Sequence, residues 1–340
     1  MCEMRKTVIY GAGNYGLKLL AYFNEMGLKV DFFCQTDVES ERKLNGIEII
    51  SFKQLLCIEG DISVFIAIKD NDEARLIELK LRATMGSRAD IFIMSQMIEN
   101  VFSPEEGYCL ICGKRTTFTE GGNDYSIFSR RHIIGGGKRS KCLCPKCSST
   151  DRARWSFWNI VNNTQILNKK CSVLHFGPQD GEQIIREKIM FNRYCDYYGA
   201  DVEMGRGDHV VDMTNMQFAD ESMDYIIANH ILEHIVDEGK ALDELYRVIR
   251  KDGKVLLSFP ICSDYDITDE APGIAMSDEE RIERFAQKDH VRLYGRDYID
   301  RIQAHGFSAK IYSPQDYFSA LMIEKYGLIA DDVCVVCTKM

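Results

Sequence analysis

Residues 218–260, FADESMDYIIANHILEHIVDEGKALDELYRVIRKDGKVLLSFP, place the tightest limit on what this chain can fold into. They parse as turn, strand, short helical turn, amphipathic helix, glycine turn and second strand. In MDYIIAN, residues 223–229, a charged start gives way to apolar residues and then a polar end. A buried parallel strand has this form when its carboxyl end faces a ligand crevice. Ala241, Leu242, Leu245, Tyr246, Val248 and Ile249 recur at spacings of three and four, so the following helix lays an apolar face on that sheet. Strand, covering helix and strand make half of a doubly wound α/β fold.

A chain of 340 residues suits two or three domains, and its 45% apolar content can bury a sizeable core. The formal charge of -10 argues against nucleic-acid binding by the protein as a whole, because phosphate is repelled at long range. No apolar run is long enough to span a membrane, and the N-terminus enters a strand without a signal-peptide pattern. Thirteen cysteines without an export signal predict a reducing, cytoplasmic setting, where paired cysteines more often hold metal than form disulfides.

The first segment, residues 1–103, predicts a small Rossmann-like domain of nucleotide-binding type. Thr7, Val8, Ile9 and Tyr10 form a strand, and Gly11, Gly13 and Gly16 supply the Gly-x-Gly-x-x-Gly turn into a helix over residues 17–26. The next strand, residues 30–34, ends in Gln35, where dinucleotide binding wants an acid for the ribose. A strand over 62–68 and a helix near 73–81 complete the unit. It resembles the small Rossmann-like domain at the front of some sugar-modifying enzymes. It serves either as a scaffold or as a nucleotide or nucleotide-sugar site.

Residues 103–107 mark a boundary, and residues 104–152 predict a zinc ribbon. Cys109 and Cys112 form one Cys-x-x-Cys knuckle; Cys144 and Cys147 form another after 31 intervening residues. Four thiolates match the tetrahedral, sulfur-seeking habit of zinc, and the motif carries no histidine or water position, so the site is structural. Cys142 offers a shifted register for Cys144. Arg130, Arg131, Lys138, Arg139, Lys141, Lys146, Arg152 and Arg154 form a basic island, either a contact for an anionic substrate or a solvated or internally docked face.

Residues 153–340 supply the rest of the doubly wound fold. After a helix near 155–161, a strand at 171–176 ends in His175 and Phe176 and runs into Gly177, Pro178, Gln179, Asp180 and Gly181. A second strand ends near Asp201, and a third, over 208–214, carries Asp212 and Met213. With residues 218–260, these motifs resemble the class I S-adenosylmethionine-dependent methyltransferases of the type 11 branch. Two knuckles and the run Asp289, His290, Val291, Arg292, Leu293, Tyr294, Gly295 resemble a zinc-ribbon branch of that family. The resemblance implies a seven-stranded sheet whose last strand inserts antiparallel beside the fifth.

It also implies a cofactor, S-adenosylmethionine, beside a structural zinc. His175, Gly177, Gly181, Asp201, Asp212, Met213 and Asn229 are the implied cofactor residues. Asp201 takes the ribose hydroxyls, and Asp212 and Met213 lie at the adenine; the bland alternative for both acids is a loop cap. His175 stands where the family has an acid, and Gln179 where it has a third glycine. His230 ends the fourth strand and is the candidate base, with His234 as a packing histidine. His290 and Arg292 are candidate donors to the acceptor, or else struts that fix an acidic lid over residues 261–289. The implied function is methyl transfer to a small-molecule, glycan or nucleotide-sugar acceptor of anionic character. Two alternatives are an RNA methyltransferase gripping phosphate with its ribbon and a cofactor-binding scaffold without catalysis.

Overall fold

The computed structural model describes residues 5–25, 28–37, 42–102, 107–178 and 180–339. The boundary expected at residues 103–106 and the loop residue Gln179 lie outside them. The chain divides into two compact units, Met1–Glu106 with Tyr317–Met322, and Gly107–Asp316 with Ile323–Met340.

The first unit is a six-stranded sheet in which Lys6–Tyr10 lies between Phe32–Gln35 and Ile62–Ile66 in parallel register. Beyond the expected strands it gains Ala89–Ile93 at one edge and the hairpin Arg42–Leu44 with Ile47–Ser51 at the other. A Cβ on Gly16 would stand 1.8 Å from the Gly11 carbonyl oxygen, so this glycine is required for the close approach of turn and helix.

The second unit is built on a seven-stranded sheet. In chain order its strands are β1 (Cys171–Phe176), β2 (Cys195–Asp201), β3 (His209–Val210), β4 (Met223–Asn229), β5 (Ile249–Ser258), β6 (Phe307–Tyr312) and β7 (Cys334–Lys339). Their spatial order is 3-2-1-4-5-7-6, with β1 to β5 parallel and β7 antiparallel to both β5 and β6. This is the topology that the resemblance implied. The order reverses between β1 and β4, so the crevice for a ligand opens at their carboxyl ends.

Local chemistry sets this register. The Asp224 carboxylate accepts from the Ser172 amide at 2.8 Å and from its hydroxyl at 3.0 Å, which pins the start of β4 to β1. Thr150 caps helix α1 (Asp151–Asn163) by accepting from the Ala153 amide. Helix α2 (Gln183–Met190) follows β1. Asp237 caps helix α3 (Glu238–Val248), which buries Ala241, Leu242, Leu245 and Val248 against the sheet. Those residues join Leu174, Ile226, Val255, Leu257 and Val335 in one core, where each buried aliphatic side chain contributes about 1.5–3 kcal/mol.

Two expectations need correction. The third strand is two residues long, because Asp212 turns back to accept from the Thr214 amide and hydroxyl and ends the extended run. The glycine turn before β5 is a bulge inside the strand, with Asp252 at φ +61° and the register shifting between the Met223–Ile249 and Tyr225–Lys254 pairs.

Candidate functional site

A cavity of about 950 Å³ opens at the carboxyl ends of β1, β2 and β4. Gly177, Gly181, Asp201, Asp212, Met213, Asn229 and His230 all line it. Gly177 holds φ +60°, and a Cβ there would meet Ile231 Cδ1 at 3.0 Å, so the backbone turns under the cavity only because that position is glycine. Asp201 accepts from the Glu203 amide at 2.9 Å and lies 3.5 Å from Arg206. Both acids therefore brace their own loops and also present carboxylate to the cavity.

His175 does not line this cavity. It is fully buried, with Nδ1 3.0 Å from the Tyr197 hydroxyl and Nε2 3.0 Å from Glu182 Oε2. Glu182, seven residues further on, brings a carboxylate to the cavity wall. The Asn229 amide donates to both of its oxygens, at 3.1 and 3.2 Å. Burial pushes the Glu182 carboxyl up, but the hydrogen bond and charge of His175, with the Asn229 amide, outweigh it and hold it below the usual range. The carboxylate nearest the end of β1 in this cavity thus comes from the following turn. The sequence signal was an unexplained histidine where an acid was expected, followed by Glu182 in the adjacent turn.

A second cavity, of about 260 Å³, adjoins the first, and Arg152, His230, His234 and Gln287 line both. Its other walls include Gly135, Gly136 and Gly137 of the loop before Arg139, and Glu233 and His290. His230 sits at φ +55°, a left-handed conformation that costs a non-glycine residue about 1–3 kcal/mol and aims the ring between the cavities. Its Nδ1 lies 3.2 Å from Glu233 Oε1 and 3.3 Å from the Arg152 guanidinium. The carboxylate is the stronger partner, which puts the proton on Nδ1 and leaves Nε2 bare. That Nε2 is buried without a hydrogen-bond partner. Burial, and then the Arg152 charge, push the imidazole below its ordinary value, so the ring is neutral at pH 7.

Arg292 is a correction to the expected donor pair. It is 1% exposed, and its guanidinium donates to the carbonyls of Leu232, Ile235 and Val236 and to Glu270. Those bonds tie the Asp269–Glu270 and Arg292–Leu293 hairpin to the turn after β4. Arg292 is a strut, whereas His290, though buried, keeps a place on the small cavity. The helix expected within the acidic insertion is present as Asp278–Phe285, capped by Ser277 in a capping box.

Cys109, Cys112, Cys144 and Cys147 converge, with all four sulfurs within 4.8 Å of one another. The Cys109–Cys147 and Cys112–Cys144 sulfurs are 3.7 and 4.0 Å apart. Thiolates about 2.3 Å from a tetrahedral zinc stand roughly 3.8 Å from one another, so the donor set fits that ion. The two knuckles repeat one turn: Gly113 and Ser148 donate their amides to the carbonyls of Cys109 and Cys144, and both hold positive φ, +67° and +59°. Cys142 stands outside the group, with Arg139 and Asp151 on its sulfur.

The basic island closes on itself. Arg130 pairs with Glu283, Lys138 with Glu120, Arg139 with Asp151 and Lys141 with Glu324. Arg154 is fully buried over the Phe118 ring at 4.1 Å, donating to the carbonyls of Lys141, Ser149, Tyr326 and Gly327. Of the two readings open in the sequence, internal docking holds Arg139 and Arg154, while Arg130, Lys138 and Lys141 form exposed pairs that leave them on the surface.

Residues 192–257 match a family described as a methyltransferase domain. No curated protein matches the chain. Among solved structures, a S-adenosylmethionine-dependent methyltransferase from Archaeoglobus fulgidus is 13% identical, with 55% of this chain and 94% of that one covered at a TM-score of 0.37. Geranyl diphosphate C-methyltransferase from Streptomyces coelicolor is 12% identical, covering 52% and 76% at 0.35. A chain from the complex of the Haloferax volcanii Trm112 methyltransferase activator is 12% identical, covering 55% and 95% at 0.35. Among the described residues no helix is long and apolar enough to cross a membrane. The matched residues span β2, β3, β4, α3 and most of β5 of a 3-2-1-4-5-7-6 sheet, so this part of the chain carries a methyltransferase domain.

Proposed function

We propose that the enzyme methylates a small-molecule, glycan or nucleotide-sugar acceptor, and that a zinc ion held by Cys109, Cys112, Cys144 and Cys147 keeps one wall of the acceptor pocket in place. The observation that supports this reading is the small cavity. It adjoins the cofactor crevice at His230, is walled by the ribbon loop, and at about 260 Å³ accommodates one compact polar group rather than a nucleic-acid strand.

Bound S-adenosylmethionine supplies an electrophilic methyl group on a sulfonium centre. Glu182 takes its ammonium group, in place of the acid absent at His175. Asp201 accepts from the ribose hydroxyls, with Asp212 and Met213 at the adenine. The bare Nε2 of His230 takes the acceptor's proton as its oxygen or nitrogen attacks. Arg152, tied to the Gly135 carbonyl at 3.1 Å, is the cation left facing the pocket and favours an anionic acceptor. The walls contributed by Gly136, His290 and Gln287 exclude water and align the acceptor with the methyl group.

Transfer of labelled methyl from S-adenosylmethionine to a panel of sugars and nucleotide sugars, beside total RNA, tests this. Label in carbohydrate that is lost in His230→Ala supports the reading; label in RNA alone overturns it.

A further inference from the structure

The small cavity holds three side chains whose free atoms converge. Glu233, His234 and His290 each place one ligand atom within 4.8 Å of the others. Glu233 is 1% exposed, and its Oε2 is buried with no hydrogen-bond partner, although the side chain lines the cavity. A buried carboxylate oxygen without a partner is strongly unfavourable, which calls for a cation or donor that completes it.

The two histidines are oriented from behind. His290 Nδ1 lies 2.9 Å from the Phe285 carbonyl, and His234 Nδ1 lies 3.3 Å from both the carbonyl and the carboxylate of Asp289. A proton on each Nδ1 satisfies these acceptors and turns each Nε2 into a lone-pair donor. Metal-ligating histidines are held in this way, with the second ring nitrogen donating to a carbonyl or carboxylate. The rings meet edge-on at 4.7 Å, an arrangement with no hydrogen bond between them. The other oxygen of Glu233 accepts from His230, so the carboxylate too is fixed from behind.

We propose that Glu233, His234 and His290 bind a divalent transition metal ion, distinct from the cysteine site, with open positions toward the small cavity. Two imidazoles and a carboxylate suit zinc, cobalt, iron or manganese, and three protein ligands leave coordination free for an outside oxygen. His234 lines both cavities, so such an ion stands beside the methyl-transfer centre. Resting on the acceptor reading above, this restricts the acceptor to one presenting a hydroxyl or carboxylate oxygen to the metal.

The test is calorimetric and spectroscopic titration of Co²⁺ into the full-length protein with its cysteine site kept loaded with zinc. The expected result is one further equivalent bound, with visible absorption lacking thiolate charge transfer. His234→Ala and Glu233→Gln should each weaken it at least tenfold, while His305→Ala, remote from the cavity, should not. His234 is partly exposed, so its variant keeps the test valid if Glu233→Gln fails to fold. Absence of saturable Co²⁺ binding by folded wild-type protein, or equal binding in both variants, would overturn the proposal. S-adenosylhomocysteine affinity in the same samples separates the two readings: cobalt binding without it sinks the methyltransferase assignment, and the reverse sinks the metal site.

Discussion

The relocated acid gives the most direct prediction. Glu182→Gln keeps the shape of the side chain and one oxygen that can still accept from His175 or Asn229, but removes the charge and the second acceptor. A hydrogen bond to a charged partner contributes about 1.5–3 kcal/mol, so affinity for S-adenosylhomocysteine should fall roughly ten- to 150-fold. Methylthioadenosine lacks the amino-acid part of the cofactor and so never reaches Glu182. Its affinity should stay within about twofold in Glu182→Gln, yet fall in Asp201→Ala, where the ribose contact is lost. Isothermal titration of both ligands against wild type and the two variants reads the difference. Equal loss for both ligands in Glu182→Gln would mean that the residue only supports the loop. No loss for S-adenosylhomocysteine would remove the ammonium assignment.

Three more predictions follow from the site and its surroundings. His230→Ala should lower turnover by about 10²–10⁴-fold with S-adenosylhomocysteine affinity unchanged, measured under saturating cofactor; unchanged turnover would exclude a base at this position. Cys144→Ser should remove zinc, by elemental analysis, and lower the melting temperature of the unit, since structural zinc contributes folding free energy directly; a zinc-free protein with wild-type melting would make the four thiols mere packing. Asp332 is buried, and burial, with the Asp151 charge next, raises its carboxyl to about 7. A carboxyl raised in the folded state stays protonated there while the unfolded chain ionises, so stability falls as pH rises from about 4 to 7. The full cost is roughly 4 kcal/mol, and Asp332→Asn should abolish that slope in melts across this range; a parallel slope in the variant would refute it.

How much was legible beforehand can be traced residue by residue. β4, α3 and β5 were readable because apolar spacing is local and a parallel strand buried on both faces has few alternatives. The two knuckles were readable because each is a single turn with its own hydrogen bonds, so Cys109, Cys112, Cys144 and Cys147 needed only to meet. Arg292 was left open between donor and strut because a charged residue in a distinctive run has the same sequence signature whether it faces a ligand or three backbone carbonyls. The basic island was left open because its partners, Glu120, Glu283 and Glu324, are scattered along the chain.

Sequence alone determined the class of fold, the cysteine donor set and the acids Asp201 and Asp212 at the strand ends, because each depends on neighbours within a turn or two. Tertiary structure decided that Glu182 reaches the cavity wall while His175 is buried behind it, through a hydrogen bond that exists only once the turn after β1 folds back. It also decided that His290 joins Glu233 and His234, across 56 residues, in one cavity. Such long-range meetings carry no local spacing to betray them, since they are set by strand order and by the packing of the insertion onto the sheet.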